Sequence, residues 1–219
     1  MTWMQTGTGR AIDLIAPLVT DIDFAGDVAG PLARTARWAG QTPAGPISTA
    51  QHCAVGTQAI LRDTGNRELA AAFLLHDAHE AFVTDITRPT AEGIAAIAYQ
   101  LARDEAGDFA ARAVERFTVR ALHEIKARLD AAIYPAAGLP WPLPRVVAMA
   151  VKDWDDRLLQ TERLLHMAPC GRPWGWDHAP PRAVELKPAW TRPWPWPEAA
   201  DRWLALLHDL CPVTRRTAA

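Results

Sequence analysis

The residues best suited to chemistry lie in Phe73-Leu74-Leu75-His76-Asp77-Ala78-His79-Glu80. An apolar run ends in an adjacent His and Asp, and a Glu follows four residues after the His. Burying such groups without partners is costly, and a metal ion satisfies both. On a helix, His76 and Glu80 share one face, one turn apart. That puts a metal ligand and a candidate general acid/base in the same space. Two more polar residues sit on apolar stripes elsewhere: His52 with Val55 and Ala59, and Asp155 between Val151 and Leu158. His52, His76, Asp77 and Asp155 make an N/O donor set for one divalent ion (zinc, cobalt, manganese, iron or magnesium). A cation bound there lowers the pKa of a water molecule toward neutrality and produces a nucleophile.

Helices must position these residues. A turn at Thr6–Arg10 leads into a short extended piece. Gly7 and Gly9 do not make a dinucleotide fingerprint, because no strand is expected before them and no third glycine follows in place. Helical spacing predicts a helix from Asp27 to Trp38, then a loop from Gly40 to Pro46. A helix capped by Ser48 or Thr49 runs to about Arg62. One continuous helix is expected from about Arg67 past His76 and Glu80, with Thr84-Asp85 near its end and Arg88-Pro89 stopping it. Two helices, 91–105 and 108–130, follow. The second has an apolar seam of Val114, Phe117, Ala121, Ile125 and Leu129. A Pro-rich break, Pro135 to Pro144, precedes a long helix from about Arg145 to Met167. Its stripe is Val147, Val151, Asp155, Leu158, Glu162 and Leu165. Asp153, Asp156 and Lys152 read as solvated. Residues 169–197 are dense in Trp and Pro and read as an ordered wrap, because tryptophans bury too much area to stay in water. A last helix spans Glu198 to Leu210. The fold class is all-α.

Composition narrows the function classes. The chain has 219 residues, is 49% hydrophobic and carries a net charge of −2. Near-neutrality offers no footprint for nucleic acid or an anionic membrane. No apolar run reaches transmembrane length, and Met1–Arg10 lacks the pattern of a signal peptide, so a cytoplasmic location is expected. Cys53, Cys170 and Cys211 form no zinc or redox spacing and are expected as small buried apolar residues. His123, His166, His178 and His208 have no companions at ligand spacing.

The order His52…His76-Asp77…Asp155 resembles the H…HD…D pattern of the HD-domain metal-dependent phosphohydrolases. Arg37-Trp38 ahead of Ser48-x-x-Gln51-His52, then His76-Asp77-x-x-Glu80-x-x-x-x-Asp85 and Pro89, is similar to the deoxynucleotide 5′-nucleotidase branch. The same stretch also resembles the phage and bacterial dNTP phosphohydrolases near that branch. Val151-Lys152-x-x-Asp155-x-x-x-Leu159-x-x-Glu162 looks like the helix that carries the family's last ligand. Gly9-Arg10-x-Ile12-Asp13-Leu14 looks like the opening of phage-type members. The resemblance spans residues 7–167 and implies an HD-domain helical bundle with a Trp/Pro-rich C-terminal extension. Its domain would be 1–168, with 169–219 packed on it.

By that resemblance, His52, His76, Asp77 and Asp155 hold the ion, Glu80 moves the proton and Asp85 assists. Arg37 neutralises phosphate and Trp38 stacks on sugar or base. His79 stands where a small residue is expected and is open to three readings: further ligand, substrate contact, or hydrogen-bonded bystander. The implied activity is hydrolysis of deoxynucleotide phosphate esters. The phage-type opening leans it toward a dNTP, dATP included, releasing the deoxynucleoside. The rivals are a 5′-nucleotidase on monophosphates, a non-catalytic nucleotide-binding HD module, and a di-iron oxygenase, for which only His79 offers an additional histidine. The expected partners are a small deoxynucleotide and further copies of the chain in a homo-oligomer.

Overall fold

A computed structural model describes residues 2–176 and 178–216. Strands β1 (Trp3–Gln5) and β2 (Ala11–Asp13) pair antiparallel, with Trp3 opposite Asp13. The Thr6–Arg10 turn agrees with the sequence reading. A strand does precede the glycines, contrary to that reading, but it closes a hairpin and opens no helix. Thr8 ties the hairpin to the bundle, its N–H and hydroxyl donating to the buried Asp27 carboxylate at 3.0 and 2.8 Å. Everything else regular among the described residues is helical.

A wide turn at Phe24–Val28 leads into α1 (Ala29–Arg34). The helix predicted to reach Trp38 stops four residues early. Thr35 goes extended, the Arg37 N–H donates to the Ile47 carbonyl and the Thr49 N–H to the Thr35 carbonyl. Pairing with the segment before α2 displaces the last helical turn. Trp38 and Ala39 then adopt φ of 60° and 50°, a left-handed conformation that disfavours residues with a Cβ by about 1–2 kcal/mol each.

Helices α2 (Thr49–Thr64) and α3 (Arg67–Leu75) form the centre of the core. Ser48 caps α2 through Gln51 N–H, and Asn66 caps α3 through Leu69 N–H. They approach closely at Gly56, where an added Cβ would lie 2.2 Å from the Phe73 ring. The single helix expected from Arg67 to Asp85 is divided. After Leu75 the bonds tighten from i→i+4 to i→i+3: Ala78 N–H donates to Leu75, Glu80 N–H to Asp77, Phe82 N–H to His79. A short α4 (Glu80–Val83) follows and ends at Thr84, whose φ of 60° is strained for a β-branched residue. With three residues per turn, Asp77 and Glu80 come to share a face in place of the predicted His76 and Glu80.

Arg88 and Pro89 open α5 (Arg88–Ala136) and do not terminate the helix before it. Pro89 sits in the first turn, where its missing N–H is no loss. Gly107 (φ 82°, ψ 172°) breaks α5 into two arms, as the predicted helices 91–105 and 108–130 require. The predicted seam is buried only at its end: Leu129 is inside, whereas Val114 is exposed and Phe117 is 62% exposed. Ahead of Leu129 the buried positions of the arms are the small Ala95 and Ala111, so larger apolar groups face outward. Pro135 lies inside the last turn of α5, and the break starts at Ala137. In α6 (Arg145–His166), Val151, Leu158 and Glu162 face inward as predicted. Leu165 is 49% exposed and His166 takes the inward position, one full turn after Glu162.

Val184, Ala199, Leu207 and Cys211 of the C-terminal segment belong to the same core. In α7 (Trp196–Leu210), Trp203 is wholly buried and its indole N–H donates to the Leu74 carbonyl at 3.2 Å. Trp190 and Trp194 join the same cluster. Gln51 staples the wrap to α2: its amide donates to the Arg192 carbonyl at 2.7 Å and accepts the Trp194 N–H at 2.8 Å. Cys53 and Cys211 are buried as expected, but Cys170 is exposed because it lies on the irregular wrap. No helix among the described residues is long and apolar enough to cross a membrane.

Gly56→Ala tests the central contact. The new Cβ pushes on Phe73, whose ring packs 4.4 Å from His76 and 5.8 Å from His52, centroid to centroid. Urea denaturation is expected to show a loss of about 1–3 kcal/mol, the scale for overpacking.

Candidate metal centre

Three segments converge here. α2 supplies His52, the tightened α3–α4 junction supplies His76, Asp77, His79 and Glu80, and α6 supplies Asp155 and Glu162. Asp155 Oδ1 lies 3.4 Å from His52 Nε2 and 3.6 Å from His76 Nε2. Asp77 Oδ2 lies 3.2 Å from His76 Nε2 and 4.0 Å from His52 Nε2. Donors about 2.1 Å from a common ion in a tetrahedral shell stand roughly 3.4 Å apart, so the set has the right scale.

Tautomers also fit. His76 Nδ1 is 2.7 Å from the Phe73 carbonyl, which can only accept, so Nδ1 carries the proton. His52 Nδ1 donates to Glu162 Oε1 at 2.7 Å. Both Nε2 atoms therefore present lone pairs to the centre, and both are buried without a hydrogen-bond partner. Such orphaned atoms are expensive unless something takes the lone pair. In the metal-free chain that role falls to a proton. Burial disfavours the imidazolium of His76, but Asp77 and its other neighbours outweigh burial and raise its pKa well above the usual range. A divalent ion and that proton compete for one site. Buried His, Asp and Cys groups here can thus hold a metal ion.

Glu162 organises the other side. It is buried, and Arg37 Nε donates to its Oε2 at 3.0 Å, with the Trp38 indole N–H at 3.3 Å on the same oxygen. Burial would raise the Glu162 pKa, but Arg37 and His52 outweigh it and bring it down to about 2. Arg37 Nη1 also donates to Asp77 Oδ2 at 3.3 Å. Its Nη2 makes no hydrogen bond among the described residues. Trp38 packs against Trp174, ring centroids 5.5 Å apart, so the Trp-rich wrap reaches the rim of the site.

Glu80 lies beside Asp77 and Thr49. Thr49 Oγ1–H donates to its Oε2 at 2.9 Å, and Lys126 Nζ is 3.7 Å from its Oε1. Burial first, then Asp77 and Asp85, raise its pKa to about 7. Asp85 is half-buried nearby, and burial raises its pKa too. His79 is buried, with Nδ1 2.9 Å from Asp130 Oδ1. On the far side, His76 and Asp155 border a cleft of about 300 Å³ walled by Tyr134, Trp141, Pro142 and Leu143.

All nine residues singled out in the sequence thus gather in one region. Sequence reasoning missed Asp130, Lys126 and Thr49 as site residues, and it left Glu162 as a stripe position only. For Glu162 a signal existed: a carboxylate on the apolar stripe, seven residues after Asp155. For the other three none did, because each meets the site only through packing.

No family model matches this chain. Over 157 residues it is 31% identical to an uncharacterized protein of Rhodobacter capsulatus, RCAP_rcc00048, the match covering 70% of this chain and 67% of that protein. The chain belongs to that protein's family. Its relative's description carries no activity, so the chemistry must come from the site.

Glu162→Gln is expected to weaken Mn²⁺ or Co²⁺ binding by about 10–100-fold in equilibrium dialysis, since it releases the orientation of His52. A second expectation concerns the chelator-treated protein. Glu80 and His76 have folded-state pKa values above their unfolded ones. At these two groups the folded chain therefore holds more protons than the unfolded chain between pH 5 and 8, and their contribution to stability falls as pH rises. The slope is at most about 1.4 kcal/mol per pH unit for each such proton. Thermal melts across that range should show the decline, and Glu80→Gln should make it shallower, leaving the His76 contribution.

Proposed function

We propose that this protein is a metal-dependent phosphohydrolase of the HD-domain type acting on deoxynucleotide phosphate esters, with a dNTP as the leading substrate. The observation that carries the reading is the convergence of the unpartnered His52 and His76 Nε2 atoms on Asp77 and Asp155, with an uncommitted Arg37 Nη2 alongside. An ion held by these four residues would supply Lewis acidity and positive charge to the reacting phosphate.

The chain's own groups do the rest. Arg37 stays charged and offers Nη2 to a phosphate oxygen while Glu162 fixes its plane. Glu80, with a pKa raised to about 7, can accept a proton from an attacking water and return it to the leaving oxygen. Thr49 and Lys126 hold that carboxylate in place. The cleft lined by Tyr134 and Trp141 has the size and aromatic wall of a site for a nucleoside. A purely nucleotide-binding role leaves Glu80 without a task.

Product analysis tests the proposal. Protein loaded with Co²⁺ or Mn²⁺ is incubated with each dNTP and dNMP and the products are separated. Deoxynucleoside plus triphosphate is the expected result. Orthophosphate from monophosphates alone would make it a 5′-nucleotidase, and no turnover of either would remove the hydrolase reading. Glu80→Gln should lower turnover by about 10²–10⁴-fold while metal still binds at His52, His76, Asp77 and Asp155.

A further inference from the structure

We infer that the cleft between the C-terminal end of α2, α6 and the 182–188 strap binds a condensed phosphate, a chain of linked phosphate groups that is either free or carried by a nucleotide. The cleft has a volume of about 790 Å³, within the range of small-molecule sites. Arg62, Arg157, Arg182 and Lys187 line it, against two carboxylates, Asp63 and Glu185. The positive fields converge there. The Asp63 carboxyl is held below its usual range, by its hydrogen bond from Arg62 first and by Arg157 and Arg182 as well. The cleft stands apart from the metal centre. Arg62 follows His52 by ten residues along α2, about 15 Å at the helical rise. Trp154, which also lines the cleft, points about 100° away from Asp155 around α6.

Two buried indoles hold the cations in place. The Arg157 guanidinium lies 4.1 Å from the centre of the Trp154 ring. Trp190 carries Arg62 at 6.0 Å and Lys187 at 5.1 Å. Carbonyls of the strap orient two of them further: Arg157 Nε donates to the Arg182 carbonyl at 3.2 Å, and Arg62 Nη1 to the Glu185 carbonyl at 2.8 Å. The strap is itself fixed to α6, the Val184 N–H donating to Thr161 Oγ1 at 2.7 Å. Side chains held in this way lose less freedom when they take an anion. Arg62 also gives Nε and Nη2 to Asp63, and Asp153, outside the cleft, is 3.7 Å from Arg157 Nη1. The Arg182 guanidinium and the Lys187 ammonium enter no hydrogen bond or ion pair among the described residues. Because cations already cover the indole faces, the cleft offers N–H donors and no bare aromatic wall. That suits phosphate oxygens, which guanidinium forks match in geometry, and not a base. The cations stand on both walls, Arg62 and Arg157 on the helices, Arg182 and Lys187 on the strap. A chain of phosphates meets both walls at once, whereas a single phosphate fills a small part of the space. A ligand that ties the strap to α2 and α6 in the folded chain alone also raises stability.

The test uses the full chain, treated with a chelator so that no metal draws phosphate to the histidines, and titrated with inorganic tripolyphosphate in a calorimeter. The wild-type protein is expected to bind it and to melt at a higher temperature in its presence. Arg182→Ala and Lys187→Gln, both at exposed positions, should each weaken binding by about 10–100-fold, the scale of a lost charge-assisted hydrogen bond. Arg37→Ala, at the metal centre, should leave it unchanged. So should Arg120→Ala, an exposed arginine on α5 that controls for the loss of a positive charge elsewhere on the surface. Deoxyadenosine should not displace tripolyphosphate, whereas dATP should, and the tighter of the two phosphates identifies the source, free chain or nucleotide. A wild-type chain that takes up no tripolyphosphate overturns the site. Binding lost in Arg37→Ala but kept in Arg182→Ala and Lys187→Gln overturns it and moves the anion to the metal centre. An equal loss in Arg120→Ala reduces it to general attraction, and displacement by deoxyadenosine replaces the phosphate chain with a nucleoside; either result overturns it too.

Discussion

The buried carboxylate of Glu162 is the constraint on which the site depends. It accepts from His52, Arg37 and Trp38, residues more than a hundred positions away in sequence. A carboxylate inside a core is tolerable only with partners that return what water supplied, and breaking such a cluster by removing one member is far more disruptive than its net contribution to folding suggests. Glu162 therefore couples three things at once: the tautomer of His52, the plane of the Arg37 guanidinium, and the position of Trp38. The early end of α1 follows from the same constraint. A helix continued through Trp38 would lose the Arg37–Ile47 backbone bond that holds the Arg37 side chain where Glu162 can reach it.

The second device is the change of pitch after Leu75. Had α3 continued as a regular helix, Asp77 and Glu80 would be offset around its axis and His76 would sit over Glu80. Tightening to three residues per turn brings Asp77 and Glu80 onto one face and His76 and His79 onto another. The left-handed residues at Trp38 and Ala39 and the strained Thr84 flank this region on either side. Strain of this kind persists only where the surrounding packing over-determines it. Here the packing is the core of α2, α3 and α6, with Phe73 pressed between Gly56 and the two histidines.

The C-terminal tryptophans are structural as well as local to the site. Trp203 and Trp194 bury large apolar areas and satisfy their indole N–H groups on backbone carbonyls. Trp174 continues the wrap to Trp38, so the segment that closes the core also borders the candidate site. Removing it would expose the α2–α3 face and open the rim of the site together.

Much of this was legible in the sequence. The all-α class, the extents of α2, α6 and the arms of α5, and the residues His52, His76, Asp77, Glu80 and Asp155 all follow from apolar periodicity interrupted by polar groups that a core would otherwise reject. The cap at Ser48 and the division of the helix between residues 105 and 108 are local chemistry and equally readable. What the sequence alone could not decide were features that depend on contacts between distant segments: the end of α1 at Arg34, the tightened turn at His76–His79, the exposure of Phe117, and the partnerships of Glu162 with His52 and of Asp130 with His79. Local spacing determines which face of a helix a residue occupies, but which carboxylate stands behind which histidine is set by how the helices pack, where desolvation makes each unpaired polar atom choose a partner.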